Sequence, residues 1–317
     1  MPTRRQLGLA AAALAAAPGL AAAQDGPVTL LVPFTPGTGM DILARLVSPW
    51  LQQKLGQPVV VDNKPGASGN IGTQAVGRAP PDGRTLMVHA NTFVTNVPLF
   101  NPAPYDPIHG FTPIILLTDG DLVLCVNMDV QAATPAQLVE LAKRGPIDYA
   151  SPGIGTPQHL AMALFGLEAK VELNHIPYRG SAPALQDLVG RRVHAMAMPI
   201  TTALPLAAQG RLRMMAVGSA HRVPSAPDVP TFIESGFPGV QVGFWYPVFG
   251  PPGMAAPLVA RLNATLNDWL RQPDTAARLR DQGMSPRGGS PEVLADLVQA
   301  DLARWTRVIR EAKITAE

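Results

Sequence analysis

The chain of 317 residues has nearly balanced charge, with 25 lysine and arginine residues against 23 aspartate and glutamate residues. This balance argues against a surface for nucleic acid or anionic membranes, because both need an excess of basic residues on one face. The single cysteine, Cys125, excludes an internal disulfide, and a hydrophobic content of 47% is enough for a large core.

Residues 1–23 have the pattern of a secretory signal peptide. Arg4 and Arg5 precede an alanine and leucine run, which ends in small residues. The run is too short to span a bilayer, and no later segment has the length and purity of a membrane span. We predict export and a mature chain from Gln24, which is formally neutral because 23 basic and 23 acidic residues remain. The arginine pair leaves the Sec and twin-arginine routes both open.

The first predicted strand, Val28 to Val32, leads into a glycine turn at residues 33–39 and then into a helical pattern. Glycines at such a turn allow several backbone N–H groups to face outward together, and the following helix start adds partial positive charge. The turn is therefore a candidate cradle for an anion.

Further strands, at residues 59–62 and 85–88, alternate with helical patterns. This alternation predicts an α/β fold with a mostly parallel sheet, in which ligands bind at the carboxyl ends of the strands. The stretch Gly66 to Gly72 has regular glycine spacing but lacks a Gly-Lys-Ser/Thr ending. We interpret it as a helix packed closely on a strand and not as a phosphate site.

A second glycine turn lies near the middle of the chain. A helix capped by Thr134 and a strand at residues 148–151 precede it, and Thr156 and Pro157 are typical of the helix start that follows. If the chain folds as two lobes, the two turns would face each other and grip a small anion. The alternative interpretation is that both are ordinary connections between a strand and a helix. Apolar residues at helical spacing predict two further amphipathic helices, at residues 257–270 and 291–309.

The chain shows no pattern typical of an enzyme or a metalloprotein. Its six histidines include no pair four residues apart and have no cysteine neighbours, so we predict no metal site and no cofactor. No G-x-S-x-G nucleophile elbow is present. His159 follows a helix start and is a candidate ligand contact, whereas His175 is expected to be a strand residue whose ring is hydrogen-bonded.

Taken together, many short blocks of this sequence resemble one family, in the family's order and over nearly all of the mature chain. The family is the extracytoplasmic solute receptors of tripartite tricarboxylate transporters, often called Bug proteins. The matching blocks are Val32-Pro33-Phe34, Gly37, Asp41, Asp62-Asn63-Lys64-Pro65-Gly66-Ala67, Gly69-Asn70-Ile71-Gly72, Pro81-Asp82-Gly83, Thr85-Leu86, Tyr105-Asp106-Pro107, Tyr149-Ala150-Ser151, Gly155-Thr156, His159-Leu160, Ile176-Pro177-Tyr178-Arg179-Gly180, Pro183-Ala184-Leu185, Asp187-Leu188, Pro230-Thr231, Glu234, Gly236, Trp245 and Arg261-Leu262-Asn263.

The resemblance implies a two-lobed periplasmic binding protein of the type II, Venus-flytrap class, with a cleft between the lobes. By analogy, residues 24–124 and 246–317 form lobe 1, and residues 125–245 form lobe 2. The implied function is a monomeric, non-enzymatic receptor that captures a small carboxylate and delivers it to membrane permease subunits. A sensor that presents the carboxylate to a membrane histidine kinase is the alternative, and an exported hydrolase is a further one.

In this family, backbone amides, hydroxyls and ordered waters at the two glycine turns typically hold the carboxylate. Asp41 has two interpretations, stabilisation of the first turn or acceptance of a ligand amine or hydroxyl. Thr38 and Met40 depart from the family's small residues, which favours a ligand with an apolar body. Carried over by position, the ligand-binding candidates are Phe34, Thr35, Gly37, Thr38, Gly39, Asp41, Ser151, Gly153, Gly155, Thr156, His159 and Arg179.

Overall fold

A computed structural model describes residues 26–316, so the predicted signal peptide lies outside the described residues. The strands are β1 (Val28–Val32), β2 (Val59–Asn63), β3 (Thr85–Val88), β4 (Thr112–Asn127), β5 (Asp148–Ser151), β6 (Asn174–Pro177), β7 (Ala195–Pro199), β8 (Leu212–Val217), β9 (Gly243–Gly250) and β10 (Ser285–Pro286). The helices are α1 (Gly39–Leu55), α2 (Asn70–Gly77), α3 (Thr92–Leu99), α4 (Pro135–Ala142), α5 (Pro157–Ala169), α6 (Ser181–Val189), α7 (Ile200–Ala208), α8 (Ala256–Leu270), α9 (Pro273–Asp281) and α10 (Pro291–Glu311).

The strands form one sheet in the order β2-β1-β3-β9-β4-β7-β5-β6, and β8 and β10 also pair with β4. The pairs of β1 with β2 and β3, and of β5 with β6 and β7, are parallel, as strand and helix alternation predicts. The pairs that β4 and β9 make at the centre are antiparallel. The predicted α/β class is therefore confirmed, with a mixed sheet instead of a mostly parallel one.

The long strand β4 changes partners along its length. Residues 112–121 pair with β9, whereas residues 122–127 pair with β7 and β8. We call the part of the sheet around β1, β2, β3 and β9 the first sheet region, and the part around β5, β6, β7 and β8 the second sheet region. One predicted lobe boundary, at residues 124 and 125, falls inside β4, and the other, at residues 245 and 246, falls inside β9. The division into lobes stays a prediction.

Buried apolar side chains form two clusters. The larger includes the centres of β1, β3 and β9 together with α1, α5, α8 and α10, and the smaller lies in the second sheet region. Cys125 belongs to the smaller cluster and is fully buried, and burial raises the pKa of its thiol. It is a small hydrophobic core residue, as its apolar strand predicts.

The helix predicted to start at Thr134 is confirmed. The Thr134 side chain accepts a hydrogen bond from the Gln137 N–H, and Pro135 occupies the first turn of α4. The helices α3 and α7 were not predicted, because Pro98 and Pro205 interrupt their helical patterns. Among the helices of residues 26–316, none is long and apolar enough to cross a membrane.

Candidate ligand-binding site

The first glycine turn connects β1 to α1 and is exposed at Thr35, Pro36 and Gly37. Gly37 has a φ of +84°, a backbone conformation that glycine adopts without steric cost. The first backbone N–H to bond within α1 is that of Ile42, which donates to the Thr38 carbonyl. The earlier N–H groups of the helix therefore remain at the turn, as an anion cradle requires.

Asp41 is 3% exposed and links the turn to the sheet. Its carboxylate accepts hydrogen bonds from the Gly37 N–H at 2.9 Å, from the Asn63 amide at 3.0 Å and from the Arg45 guanidinium at 3.0 and 3.1 Å. Burial raises the pKa of Asp41, but these hydrogen bonds and the charge of Arg45 outweigh it, and the pKa ends below its usual value. This geometry suits stabilisation of the turn, the first of the two interpretations.

We expect Asp41→Asn to lower the free energy of unfolding by about 2 kcal/mol, because the new NH₂ would face groups that are themselves donors. The carboxylate contribution is present at neutral pH and is lost as the pH falls below the range of an ordinary aspartate, since the folded pKa is depressed. Denaturant unfolding of the variant and of the control Asp62→Asn, at an exposed site in β2, checks this. Equal stability of the two variants would contradict the prediction.

The second glycine turn connects β5 to α5. Thr156 is the N-cap of α5, since its hydroxyl accepts from the His159 N–H at 3.4 Å and donates to the Gly153 carbonyl at 2.7 Å. Pro157 follows at the first helical position, so the predicted helix start is confirmed. Gly153 and Gly155 both have positive φ, which lets the chain turn sharply between the strand and the helix.

Two imidazole rings stack beneath this turn. His159 and His175 have ring centroids 3.8 Å apart with an interplanar angle of 10°. The ring of Tyr149 lies beside the pair, 4.9 Å from His175 and 6.2 Å from His159. Burial and the neighbouring His175 ring lower the pKa of His159 to about 3, and burial lowers the pKa of His175 to about 4. Both rings are therefore neutral at physiological pH.

Hydrogen bonds assign the tautomer of His159. Its Nδ1 accepts the Gly155 N–H at 3.0 Å, so the proton of the neutral ring lies on Nε2 and is available as a donor. His175 lies in β6 and its Nε2 is 2.6 Å from the Ser151 hydroxyl, which agrees with the expected hydrogen-bonded strand residue. Arg179 is exposed in the segment beside the second turn, where the Tyr178 N–H donates to the Ser151 carbonyl at 2.9 Å.

The helix α3 contacts the second glycine turn, and His89, which precedes this helix, contacts the first. The Thr95 hydroxyl donates to the Gly155 carbonyl at 2.9 Å, across 60 residues of sequence. Ahead of α3, the ring of His89 packs edge-on against Phe34 of the first turn at 5.9 Å. The segment from His89 to Thr95 therefore contacts both glycine turns.

The helix α3 was not predicted, although the sequence carries one signal for it. Thr92, Thr95 and Asn96 have i, i+3 and i+4 spacing directly after a strand, and such spacing puts them on one face of a helix. The glycine stretch at residues 66–72 has the close packing expected of it, because a Cβ at Gly72 would lie 2.8 Å from the Lys64 carbonyl oxygen. The apolar bulk of Met40 is buried in the core, so Met40 does not support an apolar ligand.

Comparisons with known proteins agree with this architecture. Residues 43–314 match the family model described as "Tripartite tricarboxylate transporter family receptor". The protein BugT of Bordetella pertussis is 32% identical over 289 residues, which cover 90% of this chain and 89% of BugT.

Two solved structures are also similar to this chain. R. palustris Rpa4515 with adipate is 36% identical, with a TM-score of 0.82. The match covers 91% of this chain and 98% of the Rpa4515 chain. MatC from Rhodopseudomonas palustris with bound malate is 34% identical, with a TM-score of 0.78. The match covers 89% of this chain and 98% of the MatC chain.

Proposed function

Because the chain belongs to the family of tripartite tricarboxylate transporter receptors, the TctC and Bug solute-binding proteins, we propose that it captures a small carboxylate in the periplasm and delivers it to transporter subunits in the membrane. The observation that carries the proposal is that two glycine turns, each followed by a helix start, both contact the segment from His89 to Thr95. Helix starts bind anions through backbone N–H groups and need no cationic side chain.

The proposed contacts come from both turns. At the first turn, Phe34, Thr35, Gly37, Thr38 and Gly39 form the cradle, and Asp41 positions it through the Gly37 N–H. At the second turn, the Nε2–H of His159 donates to the solute and exposed Arg179 adds positive charge; the remaining proposed contacts there are Ser151, Gly153, Gly155 and Thr156. Selectivity then follows from contacts that only the two turns together supply.

We propose that the protein performs no chemistry on the solute and acts as a monomer. Within residues 26–316, the Ser151 hydroxyl lies 2.6 Å from the His175 ring, but it donates its proton to the Gly153 carbonyl at 3.0 Å and not to that ring. A serine nucleophile needs a base that accepts its proton, so this arrangement does not favour a hydrolase.

The test is a thermal-shift and calorimetric screen of the chain from Gln24, unfolded and refolded first to remove any carried-over solute. The panel contains adipate, malate, citrate, aromatic and aliphatic monocarboxylates and acidic amino acids, with adipamide as the uncharged control. A bound carboxylate at about one hundred times its Kd should stabilise the protein by about 2.7 kcal/mol, which raises Tm by several degrees. The absence of any shift across the panel would overturn the carboxylate proposal, and turnover of an ester panel would overturn the non-enzymatic one.

A further inference from the structure

The polar face of α3 lies between the second glycine turn and the glycine stretch at residues 66–72. On this face the Thr95 hydroxyl donates to the Gly155 carbonyl, and the Asn96 amide donates to the Ser68 carbonyl at 2.8 Å. Thr92 belongs to the same face, one turn nearer the helix start, because it precedes Thr95 by three residues. The face of α3 that carries Thr92 therefore lies against both segments.

Three hydrogen-bond donors at the start of α3 have no partner within residues 26–316. Thr92 is 5% exposed, and its buried hydroxyl oxygen has no hydrogen-bond partner within residues 26–316. In the same described part of the chain, neither the Asn91 N–H nor the Thr92 N–H has an acceptor. Buried polar groups are nearly always hydrogen-bonded, since leaving one unpaired is unfavourable. The unpaired hydroxyl beside two free amides indicates an acceptor from outside the chain.

The electrostatic surroundings favour an anion bound by neutral donors. The Thr73 hydroxyl donates to the Gly69 carbonyl, so it accepts from the Nε2–H of His89 at 2.9 Å, and the His89 Nδ1 accepts the Ala90 N–H. Burial lowers the pKa of His89 to about 3, so this ring is neutral. The ring adds no charge, and the start of α3 contributes the partial positive charge of its backbone N–H groups.

We infer that the start of α3 is a third part of the solute site, where the Thr92 hydroxyl and the Asn91 and Thr92 N–H groups bind a carboxylate oxygen. The inference rests on the proposed function and deepens it, because the glycine turns alone do not include this helix. A carboxylate oxygen suits the three donors, since hydrogen bonds from neutral donors to an ionised acceptor are stronger than those to a neutral one.

The test compares Thr92→Val, which removes the hydroxyl at nearly constant shape, with Thr92→Ser, which keeps it. Thr118→Val is the matched control, because the Thr118 hydroxyl in β4 is also buried without a partner. Calorimetric titration with adipate, malate and the monocarboxylates of the screen measures Kd, and Tm without solute measures the structural role. We expect Thr92→Val to raise Kd roughly 10- to 100-fold. We expect Thr92→Ser and Thr118→Val to bind within about threefold of the wild type.

The Tm without solute separates a binding role from a structural one. Replacing an unpaired buried hydroxyl with a methyl group should leave Tm unchanged or raise it. A Tm several degrees lower in Thr92→Val would show that the hydroxyl is structural and would overturn the inference. Wild-type affinity in Thr92→Val, or an equal loss in Thr118→Val, would also overturn it while leaving the proposed function intact. Failure of the wild type to bind any carboxylate overturns both.

Discussion

The protein should lose stability steadily as the pH falls from 7 to 4.5, because His89, His159 and His175 are buried as neutral rings. Their folded pKa values, about 3, 3 and 4, lie far below the ordinary value of 6.5. Below pH 6.5 the unfolded chain binds protons that the folded chain does not, so the free energy of unfolding decreases with falling pH. At pH 5 the loss is about 2 kcal/mol for His89 alone, and the stacked pair adds to it.

Variants that keep the hydrogen bonds isolate the contribution of the stacked pair. In His159→Asn the amide oxygen can still accept the Gly155 N–H, and in His175→Gln the side chain can still reach the Ser151 hydroxyl. The double variant should show a shallower fall of Tm with pH, whereas His221→Gln, at an exposed position, should show the wild-type slope. The raised pKa values of Asp119 and Asp121, due first to burial, act in the opposite direction and are common to all variants.

Calorimetry between pH 7.5 and 4.5 at constant ionic strength measures these slopes. For a chain of this size, a loss of about 2 kcal/mol corresponds to a fall in Tm of roughly 4–8 °C. A Tm that stays constant over this range would show that the rings are accessible to protons in the folded state. An unchanged slope in the double variant would assign the effect to other groups.

The second large effect is expected from Gly218→Ala, at the point where the two sheet regions meet. The Gly218 N–H donates to the Leu122 carbonyl at 2.7 Å, and its carbonyl accepts the Val242 N–H at 2.9 Å. A Cβ on Gly218 would collide with the Val242 carbonyl oxygen, which is backbone and cannot rotate away. The two chain segments would have to separate, so we expect the free energy of unfolding to fall by about 3 kcal/mol.

Gly145→Ala is the matched control, because a Cβ at Gly145 would meet no atom within 4 Å. Denaturant unfolding should place the midpoint of Gly218→Ala well below that of the wild type and leave Gly145→Ala within about 0.5 kcal/mol. If Gly218→Ala unfolded at the wild-type midpoint, the close approach of the two segments would not be a constraint on the fold.

Much of the fold could be predicted from local sequence. The helix starts at Thr134 and Thr156 were identified correctly because a capping hydroxyl and the proline after it act within four residues. The family resemblance was confirmed for the same reason, since its blocks are short segments that keep their order along the chain. The helices α3 and α7 were missed because tertiary packing stabilises segments in which a proline weakens the local helical signal.

Some features of the candidate site also follow from local sequence, and others depend on the tertiary structure. The sequence by itself determined the two glycine turns and the helix starts that follow them, because turn and cap preferences depend on neighbouring residues. Only the tertiary structure decided that the segment from His89 to Thr95 contacts both turns, that the Asn63 amide donates to Asp41, and that the Thr92 hydroxyl has no partner within residues 26–316. The contacts of His89, Thr95 and Asn63 join residues far apart in sequence, so they depend on the strand order and on the packing of helices against the sheet, which no local pattern specifies.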